Sequence, residues 1–253
     1  MENKDIVLFE KKEDIAFVTF NRPEAMNALS TKVNIRLGEI LDMAEMDETV
    51  KVVILTGAGE KAFVAGGDIM EMMDLDALGA RGYAIQAKRA VDKIYGLHKP
   101  VIAAINGFCL GGGLEYAMAC DFRVASETAK FGLPEINIGI MPGSSGTQRL
   151  PRLIGMGRAK ELIMTGTLFD AKEALAMGIV NHLFAPAALL DETAAIAKKI
   201  ASKSPVALSL IKSAMDKGAG VDLETGFQFE MDCFGLCFTT EEQKLAMAAF
   251  TKK

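Results

Sequence analysis

The chain has 253 residues, 50% of them apolar and 24% charged, and a net charge of −5 at pH 7. A chain of this length buries a full core without disulfide or metal staples, and its apolar runs stop short of a membrane span. The acidic balance argues against a nucleic-acid surface or a polybasic membrane contact.

Cys109, Cys120, Cys233 and Cys237 lack zinc-ribbon spacing and read as reduced, structural thiols. His98 and His182 stand apart from any acidic or cysteine cluster, so metal and Ser-His-Asp chemistries have little to stand on. The charged start, MENKDIVLFEKKED, has neither a signal-peptide core nor an Arg-rich transit pattern and points to the cytoplasm.

In chain order, residues 6 to 10 and 15 to 20 alternate β-branched and aromatic side chains and predict a strand pair across the KKED turn. NRPEAMNAL follows as a loop, and Ser30 is placed to cap a helix from Thr31 to Ala44. VVILT, from Val52 to Thr56, is a short buried strand that runs into GAGEKAFVAGGDI. There Gly66 and Gly67 precede Asp68, a candidate helix start, and Met70, Met72 and Met73 follow, suited to core packing or to an adaptable apolar pocket. Residues 74 to 82 read as an irregular, mobile loop, and a helix is expected from Tyr83 to Leu97.

KPVIAAI is the central strand. Gly107 and three consecutive glycines, Gly111 to Gly113, then lead into a helix from Leu114 to Ala119. Bare glycines at a helix start leave outward-pointing N–H groups in the field of the helix dipole, a place for an oxygen that gains negative charge. Gly67 and Gly112 are therefore candidate donors. Neither glycine run has the spacing of a phosphate loop or a dinucleotide loop.

Glu115 lies in the first turn of that helix, and Glu135 follows Pro134 further on. Adding water across a polarised double bond requires a base for the water, an acid for carbon and donors for the oxyanion between them. Two glutamates in different surroundings can divide the acid and base roles. On spacing alone a dipole partner and a tight turn remain the alternative.

From Arg158 onward the chain is a series of helices broken by Pro186 and Pro205. The division expected is an α/β core over 1–195 and a helical region over 196–253. Phe227, Met231, Phe234 and Phe238 recur at helical spacing, as for a face buried on the core or on a neighbouring subunit.

Several of these motifs, in this order, resemble the crotonase superfamily, the enoyl-CoA hydratase/isomerase family. They are NRPEAMNAL (21–29), KAFVAGGDI (61–69), KPVIAAINGFCLGGGLEYAMACD (99–121), FGLPEINIGIMPGSSGTQRL (131–150), TGTLFDAKEALAMGIVN (165–181) and the final AAFTKK. The resemblance implies a spiral of ββα units with a C-terminal helical trimerisation region, assembled as a homotrimer or homohexamer. It implies an acyl-CoA substrate, with coenzyme A entering as part of that substrate and no metal or separate cofactor.

Matched residue by residue, the thioester carbonyl falls between the N–H groups of Gly67 and Gly112. Glu115 and Glu135 match the pair that handles water, with Gly143 a backbone position beside them. CoA contacts fall on Ala25, Ala28, Ala65, Asp68 and Ile69, and from the tail on Phe250 and Lys253; Met70 joins the substrate-binding set. Family members often carry alanine where Gly67 stands, a difference that leaves the backbone donor intact. Both glutamates together favour hydration, as a short-chain enoyl-CoA hydratase. A single glutamate at the position of Glu135 would favour double-bond isomerisation, and other acyl-CoA lyase or hydrolase reactions accompany losses of the pair. RNA binding, seen in some relatives, would need a basic helix; Lys32 and Arg36 are followed directly by Glu39 and Asp42.

Overall fold

The computed structural model describes residues 6–251; Lys253 lies outside the described residues. The opening pair forms as expected. Strand β1 (Val7–Lys12) runs antiparallel to β2 (Ile15–Phe20), from Val7 opposite Phe20 to Lys12 opposite Ile15. It extends two residues beyond the expected end because Glu13 adopts a φ of +54°, which closes the hairpin in two residues. Ser30 caps α1 (Thr31–Met46), its hydroxyl accepting from Val33 N at 3.3 Å.

From β3 (Val52–Gly57) the chain repeats one unit. β3 leads to β4 (Ala62–Val64) and to helices α2 (Ile69–Met72) and α3 (Ala77–Gly96). The next strand, β5 (Val101–Ile105), leads to β6 (Phe108–Leu110) and α4 (Gly112–Ala117). Then β7 (Phe122–Ser126) leads to β8 (Lys130–Gly132), a 3-10 turn over Pro134–Ile138 and α5 (Gly146–Ile154). Each round adds one parallel strand to a large sheet, β3–β5–β7, and one to a small sheet, β4–β6–β8. This is the spiral of ββα units. Helix α6 (Met156–Thr165), β9 (Phe169–Asp170), α7 (Ala171–Ala176) and β10 (His182–Phe184) complete it, β9 closing the small sheet antiparallel and β10 extending the large one in parallel.

The two-residue period of the strands divides the large sheet's side chains between two buried faces. Val53, Leu55, Ala103, Ile105 and Ala125 point into the main core with α1, while Val52, Ile54, Ile102, Ala104 and Val124 lie under α8 (Leu189–Ala201). That explains why these strands read as continuous apolar runs.

Two expectations are corrected. Residues 74 to 82 are not an irregular loop throughout: α3 starts at Ala77, capped by Asp76, whose carboxylate accepts from Gly79 N at 2.7 Å. The change of character expected at 195/196 falls inside α8, whose Ala197 and Ala201 are core residues, so the chain leaves the core only after Ala201. Beyond it, α9 (Pro205–Gly218) packs on α10 (Leu223–Cys237), followed by α11 (Glu241–Phe250). The apolar face of Phe227, Met231, Phe234 and Phe238 is exposed on this chain, not folded onto its own core.

Candidate active site

The three consecutive glycines do three different things. After β6, Gly111 takes φ +50°, a left-handed turn that a side chain would strain, and its N–H donates to Gly132 O at 2.9 Å. A Cβ on Gly113 would meet Val64 O at 2.2 Å, so a glycine there lets α4 lie directly on β4. Between them Gly112 opens α4 with an N–H that has no partner among the described residues.

The second glycine turn is held against the first by the NRPEAMNAL loop. Leu29 N donates to Gly66 O and Asp68 N donates to Leu29 O, both at 2.9 Å, which leaves the Gly67 N–H between them without a partner among the described residues. A Cβ built on Gly112 would lie 3.8 Å from Gly67 N, so the two glycines that carry free donors lie side by side at one spot. Arg22 ties the loop to the turn, donating to Ala28 O at 2.8 Å and pairing with Asp68 at 3.0 Å.

This spot opens into a cavity of about 720 Å³. Gly67, Gly112, Glu115, Glu135, Ile69 and Gly143 line it, as the sequence suggested. Helix α3 supplies a wall of Ala80, Tyr83, Ala84 and Ala87, one face of the helix, and Met72, Met73, Ile138, Ile140 and Met141 add apolar surface.

The glutamates sit in contrasting surroundings. Glu115 is buried, and its Oε1 accepts from Ser144 N at 2.8 Å and Gly146 N at 2.6 Å. Burial pushes its pKa up, and the two backbone N–H groups pull it back toward the carboxylate. Glu135 lies in the turn before α5 with its Oε2 buried and unpartnered. Burial, opposed in part by its own backbone N–H and helped by the nearby Glu115 charge, pushes it up to about 7. Both carboxyls are thus raised and the pair holds a proton near neutrality, with two backbone donors favouring the charge on Glu115 and none on the buried Oε2 of Glu135.

Ser145, between the two residues that bond Glu115, has φ +116°, unusual for a residue with a side chain. Its backbone turn aims both N–H groups at one carboxylate oxygen. The Tyr83 hydroxyl donates to Leu29 O at 2.6 Å, and burial pushes its pKa up to about 12, so it stays neutral.

Other expected contacts fall outside the cavity. Ala25, Ala28, Ala65 and Asp68 form a connected edge beside Leu29 and Gly67, joined by Ala65 N donating to Met26 O at 3.1 Å. Met70 points outward from α2, 77% exposed, while Met72 and Met73, further round the helix, line the cavity. Phe250 is 83% exposed on α11 and is not brought to the cavity of this chain. The sequence reading missed Arg22, Tyr83 and the Ser144 and Gly146 donors. Only the PGSSG turn hinted at the last two, because small residues with glycine mark backbone that binds through its N–H groups.

Among the described residues no group of three or more His, Cys, Asp or Glu side chains could hold a metal ion, and no helix is long and apolar enough to cross a membrane.

Residues 10–253 match the family described as enoyl-CoA hydratase/isomerase. The chain is 48% identical over 253 residues to a short-chain-enoyl-CoA hydratase of Clostridium acetobutylicum, covering all of this chain and 97% of that protein. It is 45% identical to a crotonyl-CoA hydratase of Syntrophomonas wolfei, over 98% of this chain and 95% of the other. A crystal structure of an enoyl-CoA hydratase from Bacillus anthracis superposes with a TM-score of 0.94 at 40% identity, covering 98% of this chain and 96% of that one.

Proposed function

The chain belongs to the enoyl-CoA hydratase/isomerase family, and from that membership and the site we propose that it is an enoyl-CoA hydratase, adding water reversibly to a trans-2-enoyl-CoA to give a 3-hydroxyacyl-CoA. The observation that carries this is the pair of glutamates of contrasting surroundings beside two unpartnered N–H groups in one cavity.

In this reading the Gly67 and Gly112 N–H groups form an oxyanion hole for the thioester oxygen. They draw electron density from the β-carbon and stabilise the enolate that forms there. Glu115, ionised and held by Ser144 and Gly146, takes a proton from water as the water oxygen bonds to the β-carbon. The electron pair of the double bond moves toward the thioester, and the α-carbon takes the proton of Glu135. The pair ends with its proton moved from Glu135 to Glu115, and exchange with solvent resets it. Coenzyme A is part of the substrate, and the steps require no metal.

The CoA portion would run along the edge of Ala25, Ala28, Ala65 and Asp68 and past Ile69. Phe250 and Lys253, and the exposed apolar face of α9 and α10, suit a trimer or hexamer in which a neighbour's tail completes the CoA site. A cytoplasmic place in fatty-acyl breakdown is part of the same reading.

The test is loss of the conjugated-thioester absorbance of crotonyl-CoA for wild type, Glu115→Gln and Glu135→Gln. Wild type is expected to be fast and each variant slower by about 100-fold or more, the scale of losing a positioned acid or base. A wild type that binds crotonyl-CoA and leaves it unchanged would refute the reaction, and an unharmed Glu115→Gln would shift the reading to isomerisation by Glu135 alone.

A further inference from the structure

Resting on the reading of this cavity as the acyl-CoA site, its lining carries a second message, in the charges it holds. Glu115 and Glu135 are the charged side chains that line it, and Lys, Arg and His are absent from that lining among the described residues. The polar groups present are already engaged. Tyr83 donates its hydroxyl to Leu29 O, and Ser144 serves Glu115. The Gly67 and Gly112 donors are reserved for the thioester oxygen. Arg22, the basic residue on the loop that frames the cavity, is held by Asp68 and Ala28 O.

We infer that this site selects uncharged acyl chains and rejects an enoyl chain that ends in a carboxylate. Such a chain would place its terminal charge among alanine, isoleucine and methionine side chains with no cation to pair it and with two carboxyl groups nearby, an unfavourable setting for a charge although Ile69, Met73 and Ile140 also face solvent. An aliphatic end meets only apolar surface there, and the methionines adapt to its shape.

The experiment compares hexanoyl-CoA with adipoyl-CoA, its analogue ending in a carboxylate, as ligands of the full-length protein by calorimetry. Both are saturated, so the result stands whether or not hydration is the reaction. Coenzyme A contributes equally to both. Hexanoyl-CoA is expected to bind tighter by on the order of 100-fold; a ratio above tenfold carries the inference, and one of tenfold or less overturns it. The methyl ester of adipoyl-CoA, larger and uncharged, separates charge from size. It is expected to recover most of the lost affinity, and an ester that binds as weakly as the acid would overturn the inference in favour of exclusion by size. Turnover of hex-2-enoyl-CoA against 5-carboxypent-2-enoyl-CoA should show the same ratio in kcat/KM. If hexanoyl-CoA binds and crotonyl-CoA is not hydrated, the reaction fails while the binding ratio still decides on charge.

Discussion

Glu135→Gln is expected to make the protein more stable and less active, and the gain depends on pH. In the folded chain the Glu135 carboxyl sits at about 7, against an ordinary 4.5, because burial disfavours its charge. A carboxyl raised in this way keeps its proton in the folded state while the unfolded chain releases it. Between about pH 4.5 and 7 the folded state therefore binds more protons, and stability falls as pH rises through that window and then levels off. The full difference corresponds to about 3 kcal/mol; since the carboxyl is partly solvated, about 2 kcal/mol is a fairer figure. A glutamine side chain in its place has no charge to bury. The variant should gain little at pH 5 and about 2 kcal/mol at pH 8.5, or about 4–8 °C in Tm for a chain of this size. Calorimetric Tm values of both proteins at the two pH values test this, with protein concentration held fixed because an oligomer's Tm depends on it. A Tm difference that is the same at both pH values, or a variant less stable at pH 8.5, would refute the account of Glu135 as a buried carboxyl kept protonated.

The same carboxyl should appear in catalysis: kcat/KM for crotonyl-CoA hydration is expected to fall as pH rises through about 7, where the glutamate pair loses its shared proton, and a rate flat from pH 6 to 8.5 would contradict Glu135 as the donor. Ser145→Gly removes a side chain from a backbone at φ +116°; relief of about 1–3 kcal/mol of strain, less the entropy a glycine adds to the unfolded chain, should leave a net gain of about 1 kcal/mol, read as a higher Tm. Gly113→Ala would place a Cβ 2.2 Å from Val64 O, and since that neighbour is backbone the packing of α4 on β4 must open; a loss of about 3 kcal/mol is expected in urea unfolding, and a midpoint unchanged from wild type would mean the contact is slack.

The parts of the fold legible in the sequence are those decided by near neighbours. The β1–β2 hairpin, the apolar runs of β3 and β5, the Ser30 cap and the helices after Arg158 all declare themselves within a few residues. The small sheet is different. Its strands β4, β6, β8 and β9 have only two or three residues each, too few to show a period, and they exist because the spiral brings distant segments side by side. The start of α3 was hidden by Gly79 and Gly82, which look like breakers; Gly79 in fact supplies the N–H that the Asp76 cap accepts. In the site, the glutamates and the glycine donors could be named from local chemistry and from the resemblance. What holds Glu115 could not, because Ser144 and Gly146 reach it through backbone N–H groups, of which residue type leaves only the hint of small residues in the PGSSG turn.

The contrast between the two glutamates follows from how each is attached. Glu115 is in α4, which a glycine lets lie directly on β4, and the 144–146 turn gives two N–H groups to one of its oxygens; those bonds fix the carboxylate and offset part of the rise that burial imposes on its pKa. Glu135 comes from a 3-10 turn, and a Cβ on Gly111 would lie 3.0 Å from its Oε1. The glycine that turns the chain toward α4 therefore also makes room for the second carboxyl. With its other oxygen buried and unpartnered, Glu135 is raised by burial against only a smaller pull from its own backbone N–H, so a proton is the partner it retains near neutral pH. One residue, Gly111, thus couples the geometry of the donor turn to the protonation of the acid. A side chain at that position would disturb both at once: it would strain the turn that presents Gly112 N–H and displace the carboxyl that the reaction needs protonated.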